Sequence, residues 1–235
     1  MRLYDAVDST NAVAASAPER NLVVVTDHQQ AGRGRLDREW VTPRGAALTF
    51  TAVIDPSLED QWWPLIPLAT GLAVGQATGA VLKWPNDVLI EGRKVCGILI
   101  ERVHTRTGPL ALIGVGINVS QSQEELPVEN ATSLLLSDRP TDRTELLREV
   151  LAGIRANLEV LAASPHSLMT RYRTLCSTLG QQVRVELPHG ESLVGRAVDL
   201  DAHGRLMVDA GVETGVVTVA AGDVVHVRPA NPIDQ

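Results

Sequence analysis

A stretch rich in glycine and arginine holds the clearest candidates for binding chemistry. Residues 29–45 carry four arginines and no hydrophobic periodicity, and residues 29–40 read QQAGRGRLDREW. Glycine lets the backbone approach a ligand, and each guanidinium group offers planar donors to carboxylate or phosphate oxygens. The pattern predicts an anion-binding loop that brings two negatively charged reactants together. A solvated loop without a ligand and an arginine–glycine segment that binds RNA are the alternatives.

A second candidate region joins KWPND, residues 83–87, to RKVCGIL, residues 93–99. Pro85 cannot donate a hydrogen bond within a sheet, so the strand is expected to break or to reach a sheet edge there. Asn86 and Asp87, which follow Pro85, would then lie at an exposed turn, where they could bind a nucleotide, a magnesium ion or an incoming amine. Lys94 enters a very apolar strand, where a lysine is costly unless an anion pairs with it. A plain turn and a lysine with its head group in water are the alternatives.

The segment IGVGIN, residues 113–118, superficially resembles a dinucleotide-binding loop. The third glycine of that fingerprint is missing and no strand–helix–strand unit surrounds the segment, which disfavours a Rossmann site. A strand whose glycines admit a ligand, and which ends in an asparagine that hydrogen-bonds the ligand, fits better. The alternative is a bulged strand followed by an asparagine turn.

Composition and charge narrow the class of protein. Of the 235 residues 44% are hydrophobic and 21% charged, and the net charge of −7 argues against a general nucleic-acid binder. The two cysteines form no C-x-x-C pair and the six histidines show no H-x-x-x-H spacing, so neither a disulfide framework nor a zinc site is expected. No stretch has the length and apolarity of a signal peptide or a membrane span. We therefore expect a cytoplasmic protein that binds neither nucleic acid nor membranes.

Hydrophobic patterning predicts helices and one large sheet in the first part of the chain. Helices are expected after Ser9, over 62–78, after Asp142 and after Ser164, with the last ending near Gly180. Apolar runs separated by short turns predict six strands: 22–26, 46–54, 81–84, 88–90, 94–103 and 110–119. Consecutive hairpins imply an antiparallel or mixed sheet and not a doubly wound fold.

The pattern changes after Gly180, where short strands replace helices. The strand candidates are 182–187, 192–199, 205–208, 215–219 and 224–227, separated by turns at 188–190, 201–204 and 221–223. Such closely spaced strands are typical of a small barrel. We therefore predict two domains, 1–180 and 181–235. Because every candidate site residue lies in the first, that part is expected to fold on its own.

Taken together and in this order, the motifs resemble those of the biotin–protein ligase family. They are S-T-N at 9–11, Q-Q-A-G-R-G-R-x-x-R-x-W at 29–40, K-W-P-N-D at 83–87, R-K-x-x-G-I-L at 93–99 and G-x-G-I-N at 114–118. The resemblance implies an α+β fold. Its parts would be a class II aminoacyl-tRNA synthetase-like catalytic domain with a mixed β-sheet and a small C-terminal SH3-like β-barrel. Some relatives carry an N-terminal DNA-binding helix-turn-helix, for which the position of S-T-N leaves no room here.

The resemblance also implies a two-step reaction. Biotin and ATP would form biotinyl-5'-AMP, and biotin would then pass to a lysine of a biotin carboxyl carrier protein or domain of acetyl-CoA carboxylase or a related carboxylase. Biotin's carboxylate and the α-phosphate are both anions, so cationic side chains and Mg²⁺ are expected to offset their repulsion. A lipoate–protein ligase, which performs the same two steps on a related fold, is the nearest alternative. The arginine loop with its trailing tryptophan and R-K-x-x-G-I-L favour biotin.

Carried over residue by residue, the resemblance implies three groups of site residues. The residues implied in biotin binding are Ser9, Thr10, Asn11, Gln29, Arg33, Gly34, Arg35, Lys94 and Gly97. Those implied in ATP binding are Arg33, Arg38, Trp40, Lys83, Asn86 and Asn118. Those implied in catalysis are Arg35, Lys94 and Asp87, the last orienting the acceptor amine, and no residue is assigned to Mg²⁺. The sequence departs from the family at Asp37, where a glycine is usual, which changes the expected path of the loop.

Overall fold

The computed structural model describes residues 1–35, 38–187, 191–220 and 223–226. The departure from the family pattern at Asp37, the predicted turn at 188–190, most of that at 221–223, and Val227 of the last predicted strand lie outside these residues. No helix among the described residues has both the length and the apolar character needed to cross a membrane.

A mixed sheet of seven strands forms the larger part of the molecule. Its strands are β1 (Arg2–Tyr4), β2 (Val23–Thr26), β3 (Ala47–Ile54), β4 (Val81–Lys83), β5 (Asp87–Ile90), β6 (Arg93–Thr105) and β7 (Gly108–Asn118). In space they follow the order β1-β2-β3-β7-β6-β5-β4. Only the β1–β2 pair is parallel. All six predicted strands are present, with bounds shifted by no more than two residues, whereas β1, short and exposed, was not predicted.

Among the described residues, four α-helices accompany this sheet: α1 (Thr10–Ser16), α2 (Ile66–Thr78), α3 (Arg143–Ala163) and α4 (Pro165–Leu175). Ser9, Asp142 and Ser164 cap α1, α3 and α4 with their side-chain oxygens, as the sequence predicts. The predicted helix over 62–78 is divided, because a 3-10 helix at Asp60–Leu65 precedes α2. Each of the two helices contains a proline, which lacks the N–H that a regular helix interior uses.

The predicted end of α4 near Gly180 is wrong. The helix ends at Leu175, and the next residues pair with the edge strand β4 instead. Cys176 forms a parallel bridge with Leu82, and the backbone N–H of Ser177 donates to the Leu82 carbonyl at 2.7 Å. This pairing satisfies backbone groups that the edge of the sheet would otherwise leave open, so it competes with continuation of the helix.

A second, antiparallel sheet follows. Its strands are β8 (Gln182–Glu186), β9 (Ser192–Leu200), β10 (Leu206–Asp209), β11 (Val216–Val219) and β12 (Asp223–His226), in the spatial order β11-β10-β9-β8-β12. Alternate residues of β8 are buried, as expected for strands with one face on a core. The predicted α+β class with a C-terminal antiparallel sheet domain is confirmed.

The hydrophobic core does not stop at the predicted boundary near Gly180. A single cluster of buried residues runs from the first sheet through α2, α3 and α4 to Val183, Leu206 and Val224 of the second sheet. Because the two parts share this core, the independent folding of residues 1–180 stays a prediction.

Candidate active site

One pocket gathers segments that lie far apart in the sequence. It opens above β6 and β7, between the start of α1 and the arginine loop. The predicted site residues that line it are Ser9, Thr10, Asn11, Gln29, Arg33, Gly34, Arg35, Arg38, Trp40, Asn86, Asp87, Lys94 and Gly97. Only Lys83 and Asn118 of the predicted set lie outside this lining. Glu39, Thr49 and residues of the two strands complete it.

A buried hydrogen-bonded network forms one end of the pocket. The backbone N–H and the hydroxyl of Thr10 both donate to Gln29 Oε1, at 2.8 and 3.1 Å. The Thr51 hydroxyl lies 2.5 Å from Asn11 Oδ1 and 2.8 Å from Thr10 Oγ1. All four side chains are buried. Because both amide oxygens accept hydrogen bonds, the network fixes the orientation of the two amides before any ligand binds.

Glu101 on β6 extends this network, and sequence reasoning missed it. Asn11 Nδ2 donates to Glu101 Oε2 at 2.6 Å, a short hydrogen bond to a carboxylate oxygen. Thr51 on β3 was also missed, because neither residue belongs to a cluster of functional residues that are contiguous in the sequence. The available signal was a carboxylate within the mostly apolar run that begins near Lys94.

Glycines on the two central strands leave room for pocket side chains. Gly97 and Gly116 are partners across β6 and β7. A Cβ on Gly116 would lie 2.5 Å from the Trp40 indole, and one on Gly97 would lie 3.0 Å from it. A Cβ on Gly114 would lie 2.4 Å from Asn11 Oδ1. Any other residue at Gly114 or Gly116 would therefore displace a pocket side chain.

Trp40 carries a free hydrogen-bond donor in this pocket. Its indole ring lies against the glycine pair, with Lys94 Nζ 5.8 Å from the ring centroid. The indole Nε1 is buried and has no hydrogen-bond partner among the described residues. Since a buried donor without an acceptor is costly, an acceptor atom of a ligand would stabilise this arrangement.

The arginine loop is more regular than the sequence suggested. Arg33 and Glu39 form an antiparallel bridge, and the Gly34 N–H donates to the Arg38 carbonyl at 2.6 Å. Arg35 extends across the pocket and donates from Nη1 to Asn86 Oδ1 at 2.9 Å. The loop is thereby tied to the KWPND segment, while the side chains of Arg33 and Arg38 remain exposed.

Asp87 holds the predicted catalytic lysine. Its carboxylate lies 2.6 Å from Lys94 Nζ and 3.9 Å from Lys83 Nζ. The predicted break at Pro85 is confirmed, because β4 ends at Lys83 on the edge of the sheet and β5 begins at Asp87. Lys94 is thus a paired, half-buried cation at the pocket wall, which resolves the cost expected for a lysine in an apolar strand.

Asn118 serves a different purpose in this structure from the ATP contact predicted for it. Its Nδ2 donates to the Thr132 carbonyl at 3.0 Å, and its Oδ1 accepts from Gln121 Nε2 at 3.0 Å. The same returning segment pairs with Lys94, whose carbonyl accepts the Thr132 N–H at 2.8 Å. Asn118 therefore holds the segment that supports Lys94, and its contact with ATP stays a prediction, as does that of Lys83.

The cysteine beside the pocket is not a candidate nucleophile. Burial raises the pKa of the Cys96 thiol well above its ordinary range, against a smaller opposing effect of Lys94. A thiol that stays protonated is a weak nucleophile. The chemistry of the pocket therefore falls to its cationic and amide side chains.

Comparisons with known proteins agree with this geometry. The family described as biotin/lipoate A/B protein ligase matches residues 3–118, and the biotin protein ligase C terminal domain matches residues 178–227. The biotin–[acetyl-CoA-carboxylase] ligase of Mycobacterium tuberculosis is 39% identical over 94% of this chain and 86% of its own length. That of Paracoccus denitrificans is 30% identical over 84% of this chain and 85% of its own length. The structure of biotin protein ligase from Aquifex aeolicus in complex with biotin and ATP superposes with a TM-score of 0.81 at 28% identity, covering 97% of this chain and 99% of that chain.

The chain therefore belongs to the biotin/lipoate A/B protein ligase family. Within that family the relatives and the structural match favour biotin over lipoate, and the protein is a biotin–protein ligase. The resemblance inferred from the five motifs is thus confirmed.

Proposed function

We propose that the pocket binds biotin and ATP side by side, joins them as biotinyl-5'-AMP and then passes biotin to a lysine of a carrier domain. The observation that carries this proposal is the division of the pocket into two ends. A buried network of neutral amides and hydroxyls forms one end, and four cationic side chains surround the other: Arg33, Arg35, Arg38 and Lys94. This arrangement suits a ligand with an uncharged polar head and a carboxylate that must approach a polyphosphate.

The first step needs cationic charge at the reacting atoms. Biotin's carboxylate oxygen attacks the α-phosphorus of ATP, and pyrophosphate leaves. We assign Lys94 and Arg35 to the carboxylate and α-phosphate, because both cations line the pocket and are held there by Asp87 and Asn86. Their charges would offset the repulsion between two anions and the charge that develops on the phosphate oxygens. In the free protein Asp87 keeps the Lys94 ammonium group at this place.

The second step transfers the acyl group. The ε-amine of the acceptor lysine attacks the acyl carbon, and AMP leaves. We propose that Asp87 orients that amine once Lys94 has turned toward the substrate, since its carboxylate lines the pocket. The acceptor is a biotin carboxyl carrier protein or domain, by analogy with the acetyl-CoA carboxylase named in the relatives. We place the reaction in the cytoplasm, where ATP is available.

Magnesium is expected with ATP, yet the described residues do not fit a metal held by protein alone. They contain no group of three or more Asp, Glu, His or Cys side chains that could hold an ion. The Asp87 carboxylate is already paired with two lysines. Magnesium often binds through substrate phosphates and few protein carboxylates. The steps above therefore rest on the lysine and arginine side chains.

Exchange of pyrophosphate into ATP tests the proposal directly. We expect exchange that depends on biotin and not on lipoate, followed by a biotin-sized mass increase on the carrier lysine. Lipoate-dependent exchange would favour the lipoate ligase alternative. Salt-sensitive RNA binding without any exchange would favour the arginine–glycine RNA-binding alternative.

A further inference from the structure

Trp84 joins the active-site segment to the second sheet. It is 2% exposed, and its indole Nε1 donates to the Gly204 carbonyl at 2.8 Å. Its backbone N–H donates to Thr178 Oγ1 at 3.0 Å. Trp84 does not line the pocket, so its indole is available for this contact across the shared core.

The turn that presents the Gly204 carbonyl is organised by a single carboxylate. Asp201 Oδ1 accepts the backbone N–H groups of His203 and Arg205, each at 2.9 Å, and Asp201 Oδ2 accepts from Arg205 Nε at 2.5 Å. Burial raises the pKa of Asp201, but these hydrogen bonds outweigh that effect and hold the pKa below its ordinary value. The turn is therefore fixed by an anion that persists at neutral pH.

The same turn packs against the 3-10 helix at Asp60–Leu65 and against α2. The ring of His203 stacks on Trp62 with centroids 5.2 Å apart. Gly204 has a φ of +76°, and a Cβ there would lie 2.6 Å from Leu65 and 2.7 Å from Leu68. Only glycine satisfies both the backbone conformation and the space. The position of the Gly204 carbonyl is therefore set by packing on both sides.

A short chain of contacts leads from Trp84 to the reacting groups. Two residues further along, Asn86 accepts from Arg35 and donates from Nδ2 to the Ile98 carbonyl at 3.1 Å. The following residue, Asp87, holds the Lys94 ammonium. A shift of Trp84 would move both groups, whereas the amide network around Thr10 makes no hydrogen bond to this segment in the described structure.

We propose that Trp84 is a positioning residue through which the Asp201–Arg205 turn of the second sheet sets the geometry of Arg35 and Lys94. The inference rests on the proposed roles of those two cations. It gives the second sheet a part in the activation step, in addition to any contact with the carrier. Replacing Trp84 by phenylalanine would remove the indole hydrogen bond and keep an aromatic side chain at this position.

Trp84→Phe in the full chain removes this hydrogen bond, and Trp63→Phe is the matched control. Trp63 also donates its indole N–H to a backbone carbonyl, that of Leu58 at 3.4 Å, and is not among the pocket-lining residues. We expect Trp84→Phe to lower kcat of biotin-dependent pyrophosphate exchange about tenfold while KM for biotin changes little. Trp63→Phe should keep the wild-type kcat, and the melting temperature should fall further in Trp84→Phe, because Trp84 is buried and Trp63 is only half-buried.

Asp201→Ala tests the same contact by removing the carboxylate that organises the turn carrying the Gly204 carbonyl. It should reproduce the loss in kcat, and the double variant with Trp84→Phe should lose no more than either single variant. Should Trp84→Phe fail to fold, Asp201→Ala alone decides, with a lower kcat at unchanged KM expected. Wild-type kcat in a folded Trp84→Phe or Asp201→Ala variant, an equal rise in KM, or independent losses in the double variant would overturn the proposal. A wild-type protein without biotin-dependent exchange would instead refute the proposed function.

Discussion

The two ends of the pocket differ in how far they are formed before a ligand arrives. At the amide end, Thr51 is fully buried and Thr10 and Asn11 are each 3% exposed, and hydrogen bonds fix all three. At the arginine end, Arg33 and Arg38 are exposed, and the contacts described for the loop that carries them include a short bridge, backbone hydrogen bonds and the bond from Arg35 to Asn86. The uncharged part of a ligand thus meets prepared partners, whereas its charged part meets groups that it must help to order.

Physical chemistry accounts for this asymmetry. The buried network is satisfied in part within the protein, because the hydroxyl and amide groups of Thr10, Asn11, Gln29 and Thr51 bond to one another. Neighbouring guanidinium groups repel one another, and glycine makes the ordering of a loop entropically costly. Anionic oxygens would remove the repulsion and provide acceptors. We therefore expect the substrates to order the exposed guanidinium groups of Arg33 and Arg38 more than they order the amide end.

The largest expected effect is that of Lys94→Ala. Removing a cation that stabilises the transition state should lower the rate of biotin-dependent pyrophosphate exchange about a hundredfold or more, with a smaller effect on biotin binding. Lys83→Ala is the comparison for the rate at saturating ATP, because Lys83 shares Asp87 at 3.9 Å but lies outside the pocket, and the ATP contact predicted for Lys83 would act on KM for ATP. It should cost far less. Near-normal exchange by the Lys94 variant would exclude the role assigned to it.

Arg35→Gly should impair retention of the intermediate as well as its formation. The substitution removes the bond from Arg35 to Asn86 and one cation that would hold the adenylate. We expect biotinyl-AMP to escape into solvent and to label lysines of an unrelated protein such as serum albumin. Mass spectrometry of that bystander measures the leak. Labelling no greater than with the wild-type enzyme would show that the loop does not retain the intermediate through Arg35.

Substitution of Glu101 tests whether the hydrogen bonds of the amide end contribute to biotin binding. Glu101→Ala leaves the Asn11 Nδ2 donor without its acceptor, so the amide can reorient, and biotin should bind about tenfold more weakly. Glu101→Gln keeps an acceptor oxygen and should restore most of the affinity. Calorimetry with biotin alone measures both. Equal affinity of the alanine variant and the wild type would show that the network does not depend on Glu101.

The sequence could predict those parts of the site whose functional residues are neighbours in the sequence. The arginine loop and KWPND each place several functional residues within a few positions, so their composition alone signals binding. Thr51 and Glu101 are single residues in strands, and their meaning depends on pairing register. Thr51 lies opposite Gly114 on β7, whose missing side chain admits Asn11. No local pattern states which strands become neighbours.

The same limit explains the two differences at strand and helix ends. Asn118 ends a strand, as expected of a ligand-binding asparagine. Its amide, however, donates a hydrogen bond to the carbonyl of Thr132, more than ten residues later in the chain. The helix end predicted at Gly180 was misplaced because Ser177 pairs with an edge strand nearly a hundred residues earlier. Both outcomes are set by long-range contacts, whereas the predicted caps at Ser9 and Asp142 depend on their immediate neighbours and are present.

The smallest expected effect is a change in protease sensitivity at the arginine end. Without an anion, Arg33 and Arg38 are exposed and therefore accessible to trypsin. With biotin and ATP bound, carboxylate and phosphate oxygens can pair with these guanidinium groups, and tryptic cleavage after either arginine should slow severalfold. Cleavage after Arg106, which is exposed in the turn between β6 and β7 and lies outside the pocket, serves as the internal reference. Biotin alone should protect less than biotin with ATP, because the amide end is already formed and contributes little further order. Equally fast cleavage after Arg33 and Arg38 in all three states would mean that the charged end is as prepared as the amide end, and the contrast between them would fail.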